Sequence, residues 1–329
     1  MLAPRGIYVP LITPFTAGGQ VAEDALAALG HSVLDAGAAG LVALGTTAEV
    51  ATLDADERRA VVRVCADVCG ERGAPLVVGA GSADTRATRA ALAELGGFPQ
   101  VDAALVPVPP YTRPGEAGVL AHFAELVATS PVPLVIYHIP YRTGQQLSAG
   151  CLRALGRLPG VIGVKYAAGC VDASTVDLLG DLPPNFAVLA GDDVFLAPLL
   201  ALGARGGILA SAHLATDRFV EFTDAWREGD PVRARQLGHA LARWSAAAFA
   251  EPNPTVLKGV LHALGRIPTP DVRLPLLPAG PASVGEALAR LVELSGSGTD
   301  SGTDSATDST ADRTADRTAD RVADLLVSP

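Results

Sequence analysis

What most constrains the fold of this chain is a repeated alternation. Eight short, nearly continuous apolar runs are separated by stretches with helical periodicity. The runs are GIYVPLI (6–12), GLVALG (40–45), PLVVGAG (75–81), AALVPVP (103–109), PLVIYHIP (133–140), VIGVKYA (161–167), FAVLAGDD (186–193) and GGILAS (206–211). Runs without polar alternation suit parallel strands covered on both faces. Between them lie patterns such as AEDALAALGHSVLDAG and DERRAVVRVCADVCGERG. Asp54 precedes the second, and Glu57 three residues later completes a capping box. Eight such units within about 230 residues give the size and rhythm of an α/β fold, the (β/α)8 TIM barrel. A doubly wound sheet is the alternative, but no G-x-G-x-x-G follows the first run. Gly79 and Gly81 begin such a motif, and Asp84 stands where its third glycine belongs.

After Gly229 the pattern changes to helices alone, at roughly 231–248, 254–264 and 281–294. The expected organisation is therefore a barrel over 1–228, a C-terminal helical extension over 229–294 and a low-complexity tail over 295–329. The tail places Asp at every fourth position from Asp300 to Asp324. Like charges at that spacing repel along a helix, and the Gly, Ser and Thr content favours a solvated, disordered extension.

Composition narrows the function classes. The 329 residues are 49% hydrophobic and 18% charged, which is enough apolar material for a large core. A formal net charge of −10 argues against a nucleic-acid partner. No apolar stretch reaches the roughly 18 to 20 residues of a membrane span. The N-terminus has no signal-peptide pattern. Four dispersed cysteines, with no C-x-x-C, suggest neither disulfides nor zinc, so a cytoplasmic protein is expected. The six histidines include no H-x-H or H-x-x-x-H pair, so no metal site is expected and a metal-dependent aldolase is disfavoured.

In a barrel of this kind the reacting groups stand at the C-terminal strand ends. Those ends carry Thr46, Thr47, Tyr111, Tyr137 and Lys165. Lys165 lies inside an apolar run, where a charged ammonium is expensive to bury. Desolvation lowers a lysine's pKa, and the neutral amine can form a Schiff base with a carbonyl. A lysine that snorkels or pairs with a carboxylate fits the same pattern, and the residues alone leave both open. Taken by themselves, Tyr137 and Tyr111 read first as core aromatics with satisfied hydroxyls. Asp192 and Asp193 are adjacent and would point to opposite sides of a strand, with Asp193 capping the following helix. Lys258, on a helix outside the strands, reads as structural. Cys65 and Cys69 read as packing residues.

Several segments in order then resemble one family. They are LVALGTTAEVATLDADER, PPYTRP, YHIPYRTG, GVKYAAG, LAGDD, ALGARGGILASAH, EPNP and DVRLPLLP. Together, over roughly residues 6–294, they resemble the dihydrodipicolinate synthase / N-acetylneuraminate lyase family of pyruvate-dependent class I lyases. The resemblance implies that Lys165 forms a Schiff base with pyruvate or another 2-keto acid, with no other cofactor. It implies that Tyr137 is the general acid/base. Thr46 would link Tyr137 to a Tyr111 supplied by a neighbouring subunit of a homo-oligomer (dimer or tetramer). Thr46 and Thr47 would hold the pyruvate carboxylate, Gly191 would border the substrate, and the Ile208 carbonyl would face the lysine amine. Arg142 would grip a carboxylate on the second substrate, a small aldehyde, as in the synthase branch. The expected reaction is therefore most like that of 4-hydroxy-tetrahydrodipicolinate synthase, which joins pyruvate to aspartate semialdehyde. The alternative within the family is a 2-keto-3-deoxy sugar acid aldolase or dehydratase. A non-catalytic ligand-binding barrel is the alternative of another class, and the complete Lys165–Tyr137–Thr46–Tyr111 set argues against it. The sequence departs from the family pattern at Ala48, Val50, Pro110, His138, Tyr166 and Ala168. These departures are expected to reshape the second-substrate pocket while sparing the pyruvate half.

Overall fold

The eight apolar runs become eight parallel strands that close into a barrel in sequence order. The computed structural model describes residues 2–296, and the Asp-rich repeat of the tail lies outside them. The strands are β1 (Gly6–Pro10), β2 (Gly40–Ala43), β3 (Leu76–Gly79), β4 (Val101–Pro107), β5 (Leu134–His138), β6 (Val161–Tyr166), β7 (Ala187–Ala190) and β8 (Gly206–Ile208). Closure comes from β1 pairing with β8, with Tyr8 opposite Ile208. The expected (β/α)8 architecture is the observed one.

Strand side chains alternate between two apolar environments, which is why the runs show no polar alternation. Val42, Val77, Val135, Ile162, Leu189 and Ile208 fill the barrel interior. Leu41, Val78, Leu134, Ile136 and Val164 face outward and join the larger core beneath the helices. Burying each of these aliphatic side chains is worth roughly 1.5–3 kcal/mol. The helix Ala55–Arg72 contributes Val61, Val62, Cys65, Val68 and Cys69 to that outer core. Its start is the expected capping box: Glu57 N donates to Asp54 at 2.9 Å, and Asp54 N donates to Glu57 at 3.0 Å. Both cysteines are free and buried, consistent with packing, and burial pushes the Cys69 thiol up to about 12.

Beyond β8 and the helix Thr216–Glu228, three helices follow: Pro231–Ala248, Thr255–Ala263 and Pro281–Gly296. Asp230 caps the first of them, accepting from Val232 N and Arg233 N, with Pro231 in the first turn. Fully buried Trp244 on that helix donates its indole N–H to Ser211 O at 3.1 Å. This bond brings the C-terminal helices against the loop that follows β8. Among the described residues, no helix is long and apolar enough to cross a membrane.

Candidate active site

Tyr137 on β5 and Lys165 on β6, a strand whose register shifts near its start, set the centre of the site. Tyr137 and Lys165 are register partners on adjacent strands, and the Lys165 Nζ lies 4.4 Å from the centroid of the Tyr137 ring. Both border a cavity of about 220 Å³, together with Thr46, Thr47, Arg142, Gly191, Asp192, Asp193 and Asn253. Tyr141, Val194, Phe195, Ala210 and Phe249 complete much of its wall. Gly191 makes room for the lysine, because a Cβ there would stand 2.8 Å from Lys165 Cγ.

Burial dominates the electrostatics. It lowers the Lys165 pKa to about 8, and the neighbouring Asp193 and Asp192 partly oppose it by favouring the ammonium. Burial also pushes the Tyr137 phenol well above its ordinary value, although Arg142 and a hydrogen bond from Thr46 act against the rise. At neutral pH the tyrosine therefore holds its proton, while a useful fraction of the lysine has lost one. Asp193 is raised to about 6 by burial, opposed first by the hydrogen bonds from Ser211.

The two aspartates differ from expectation. The strand ends at Ala190, so Asp192 lies in the loop after it, Asp193 opens the short 3-10 helix Asp193–Phe195, and both border the cavity. Asp193 does not cap a helix. Its carboxylate accepts from Ser211 N at 2.7 Å and from Ser211 Oγ at 2.5 Å. Asp192 accepts from Gly169 N at 2.7 Å. The remaining expected residues divide. Arg142 sits on the cavity in the short helix Pro140–Thr143, its guanidinium 5.5 Å from the Tyr141 ring. Ile208 ends β8 inside the barrel and is not a lining residue. Tyr111 is 95% exposed, in a left-handed backbone conformation with φ 73°, and does not reach the cavity of its own chain. Among the described residues, no group of three or more His, Cys, Asp or Glu is arranged to hold a metal.

The model of the Dihydrodipicolinate synthetase family matches residues 3–292. The chain belongs to this family. A 4-hydroxy-tetrahydrodipicolinate synthase of Methanothrix thermoacetophila is 36% identical over 301 residues, covering 89% of this chain and 98% of the relative. One of Synechococcus elongatus is 37% identical over 288 residues, covering 86% and 93%. Among solved structures, the 4-hydroxy-tetrahydrodipicolinate synthase of Methylacidiphilum fumariolicum superimposes with a TM-score of 0.84 at 30% identity, covering 89% of this chain and 98% of that one. The dihydrodipicolinate synthase of Thermotoga maritima gives 0.85 at 26% identity, covering 89% and 99%. The protein is thus an enzyme of the lyase class, most like 4-hydroxy-tetrahydrodipicolinate synthase.

Within the family frame, the departures fall elsewhere than expected. None of Ala48, Val50, Pro110, His138, Tyr166 and Ala168 borders the cavity of the protomer. His138 and Tyr166 follow the two inward residues and so point to the outer face, with ring centroids 5.6 Å apart. Tyr166 Oη bonds Thr175 Oγ1 at 3.0 Å. Both ring nitrogens of buried His138 lack a partner, and burial lowers its pKa to about 4. In turn, sequence reasoning assigned no role to Asn253, whose Nδ2 donates to Thr47 Oγ1 at 2.9 Å while its buried Oδ1 has no partner. The EPNP segment drew notice, but nothing local shows that Asn253 meets a threonine 206 positions earlier.

Proposed function

We propose that this enzyme condenses pyruvate, held as a Schiff base on Lys165, with a small aldehyde that bears a carboxylate. Aspartate semialdehyde is the acceptor this reading favours. The observation that carries it is the buried Lys165 amine, with its pKa near 8, beside Tyr137 in a cavity that also holds Arg142. Neutral Lys165 attacks the ketone carbon of pyruvate, and the resulting carbinolamine loses its oxygen as water with Tyr137 supplying the proton. The Tyr137 phenolate left by that step then takes a methyl proton from the iminium, which gives an enamine and restores the phenol. The enamine carbon bonds to the aldehyde carbon, and Tyr137 protonates the oxygen left there. The N–H groups of Thr46 and Thr47, with the Thr47 hydroxyl, hold the pyruvate carboxylate, beside Gly191, and the Ile208 carbonyl faces the amine. Arg142 takes the acceptor's carboxylate, a task suited to the two parallel donors of a guanidinium.

Exposed Tyr111 completes the relay through Thr46 in a second copy of the chain, so the working form is a homo-oligomer. No cofactor beyond the lysine is needed, and the enzyme works in the cytoplasm. The catalytic barrel is residues 1–228, with 229–294 as its helical appendage. The first test is to incubate the protein with pyruvate, add borohydride and weigh it. One reduced pyruvate adduct is expected on the parent and none on Lys165→Arg. An adduct that persists on another lysine of Lys165→Arg removes the assignment. A panel of aldehydes with and without a carboxylate, together with 2-keto-3-deoxy acids, then tests the acceptor. Faster turnover of the sugar acids would replace the synthase reading with the aldolase one.

A further inference from the structure

The turn Thr46–Ala48 that carries both threonines is held from the far end of the chain. Glu49 follows it directly, with φ 54°, a left-handed conformation that a glutamate rarely adopts. Both oxygens of its carboxylate are engaged by residues beyond the barrel. Lys258 Nζ donates to Oε1 at 2.5 Å, and Arg273 N donates to Oε2 at 2.8 Å. Lys258 is fully buried, donates also to Asp271 O at 2.8 Å, and lies 4.0 Å from the centroid of the Phe15 ring. Burial lowers the pKa of its ammonium, while Glu49 favours the charged form. The same C-terminal segment sends Asn253 to the hydroxyl of Thr47.

A buried ion pair is weak ground for stability, since apolar residues in its place are often as good. What this pair does that an apolar contact would not is fix the direction and backbone conformation of one residue, and that residue abuts the threonine turn. We propose that Glu49 and Lys258 are positioning residues for the reaction. Their pair clamps the turn to the C-terminal segment so that Thr46 and Thr47 present their donors to the keto-acid carboxylate. The inference rests on the reading that a keto acid binds covalently at Lys165.

The test uses the full-length protein and three variants. Glu49→Gln keeps the side chain's shape and an acceptor for Arg273 N, but removes the charge opposite Lys258. Glu49→Gln/Lys258→Met removes both charges, so that no lone buried ion remains. Leu288→Ala truncates a buried residue of the helix Pro281–Gly296, loosening the same segment without touching the turn. Adduct formation is titrated with pyruvate by borohydride trapping and intact mass, beside the melting temperature. The half-saturating pyruvate concentration is expected to rise about tenfold or more in both Glu49 variants, because small misplacements of binding groups are costly. At saturating pyruvate the adduct should remain stoichiometric. Leu288→Ala should melt earlier with unchanged half-saturation. Half-saturation within about twofold of the parent in both Glu49 variants overturns the proposal. So does an equal rise in Leu288→Ala, or a Glu49→Gln protein that does not fold, since either makes the pair merely structural. A parent that takes up no pyruvate overturns the functional reading instead, and the first measurement reveals it.

Discussion

The Lys165 amine should announce its environment in a pH profile. At pH 7 a group with a pKa of about 8 is roughly 9% neutral, whereas at the ordinary lysine value of 10.5 it would be about 0.03% neutral. The lowered pKa thus raises the neutral fraction at pH 7 about 300-fold. At low pyruvate concentration, the rate of adduct formation should climb about tenfold between pH 7 and pH 9 and level off above the lysine pKa. The assay mixes enzyme and pyruvate at each pH, quenches aliquots with borohydride and counts the adduct by intact mass. Asp193 is the largest of the groups that favour the ammonium. Asp193→Asn should therefore move the inflection to lower pH and lower the plateau, since the same charge favours the cationic adduct. A profile that is flat from pH 6.5 to 9, or one still rising tenfold per unit at pH 9.5, would refute the argument that burial governs the amine.

Tyr137→Phe keeps the ring against Lys165 but removes the proton carrier, so turnover should fall roughly 100- to 10,000-fold with little change in melting temperature; a variant within about threefold of the parent takes Tyr137 out of the mechanism. Arg142→Lys should raise half-saturation for the aldehyde about 10- to 100-fold and leave the pyruvate adduct unchanged, because an ammonium cannot offer two parallel donors. His138 has a folded pKa of about 4, below its ordinary 6.5, so the stability it contributes is present above pH 6.5 and lost as the pH falls through 4. His138→Leu should remove about 3 kcal/mol of that acid sensitivity, read as a smaller drop in melting temperature between pH 7 and 4.5 than the parent shows.

Much of this was legible in the sequence because the physics is local. A strand covered on both faces must be apolar throughout, and so the eight runs marked eight strands. The Asp54–Glu57 box marked a helix start because both partners lie within one turn. The three late helices stand within two residues of their expected bounds. Their places at strand ends also marked Tyr137 and Lys165 for the site, and alternation applied one residue further sends His138 and Tyr166 outside. The expectation that these two reshape the substrate pocket ignored that step. Asp193 was misread because its partner, Ser211, follows the next strand. The links from Asn253 to Thr47 and from Lys258 to Glu49 span 206 and 209 positions, and nothing local betrays them.

The site and the core are therefore one electrostatic object. An amine that must attack needs to be neutral, but the iminium it would form carries a positive charge. Burial alone would favour the first state and penalise the second. The two aspartates on the cavity favour positive charge on the Lys165 ammonium, and would oppose this imbalance by favouring an iminium there in the same way. Asp193 can play that part only if it stays oriented, and Ser211 holds it through both its backbone N–H and its hydroxyl. Ser211 is in turn fixed by Ser245 Oγ at 2.9 Å and by the Trp244 indole on its carbonyl, both from the helix Pro231–Ala248. The residues after the barrel thus reach the cavity by two routes, through Ser211 to Asp193 and through Lys258 and Asn253 to the threonine turn. Lys165 and Tyr137 take their register from neighbouring strands, whereas several partners that orient the charges and donors around them come from beyond the barrel.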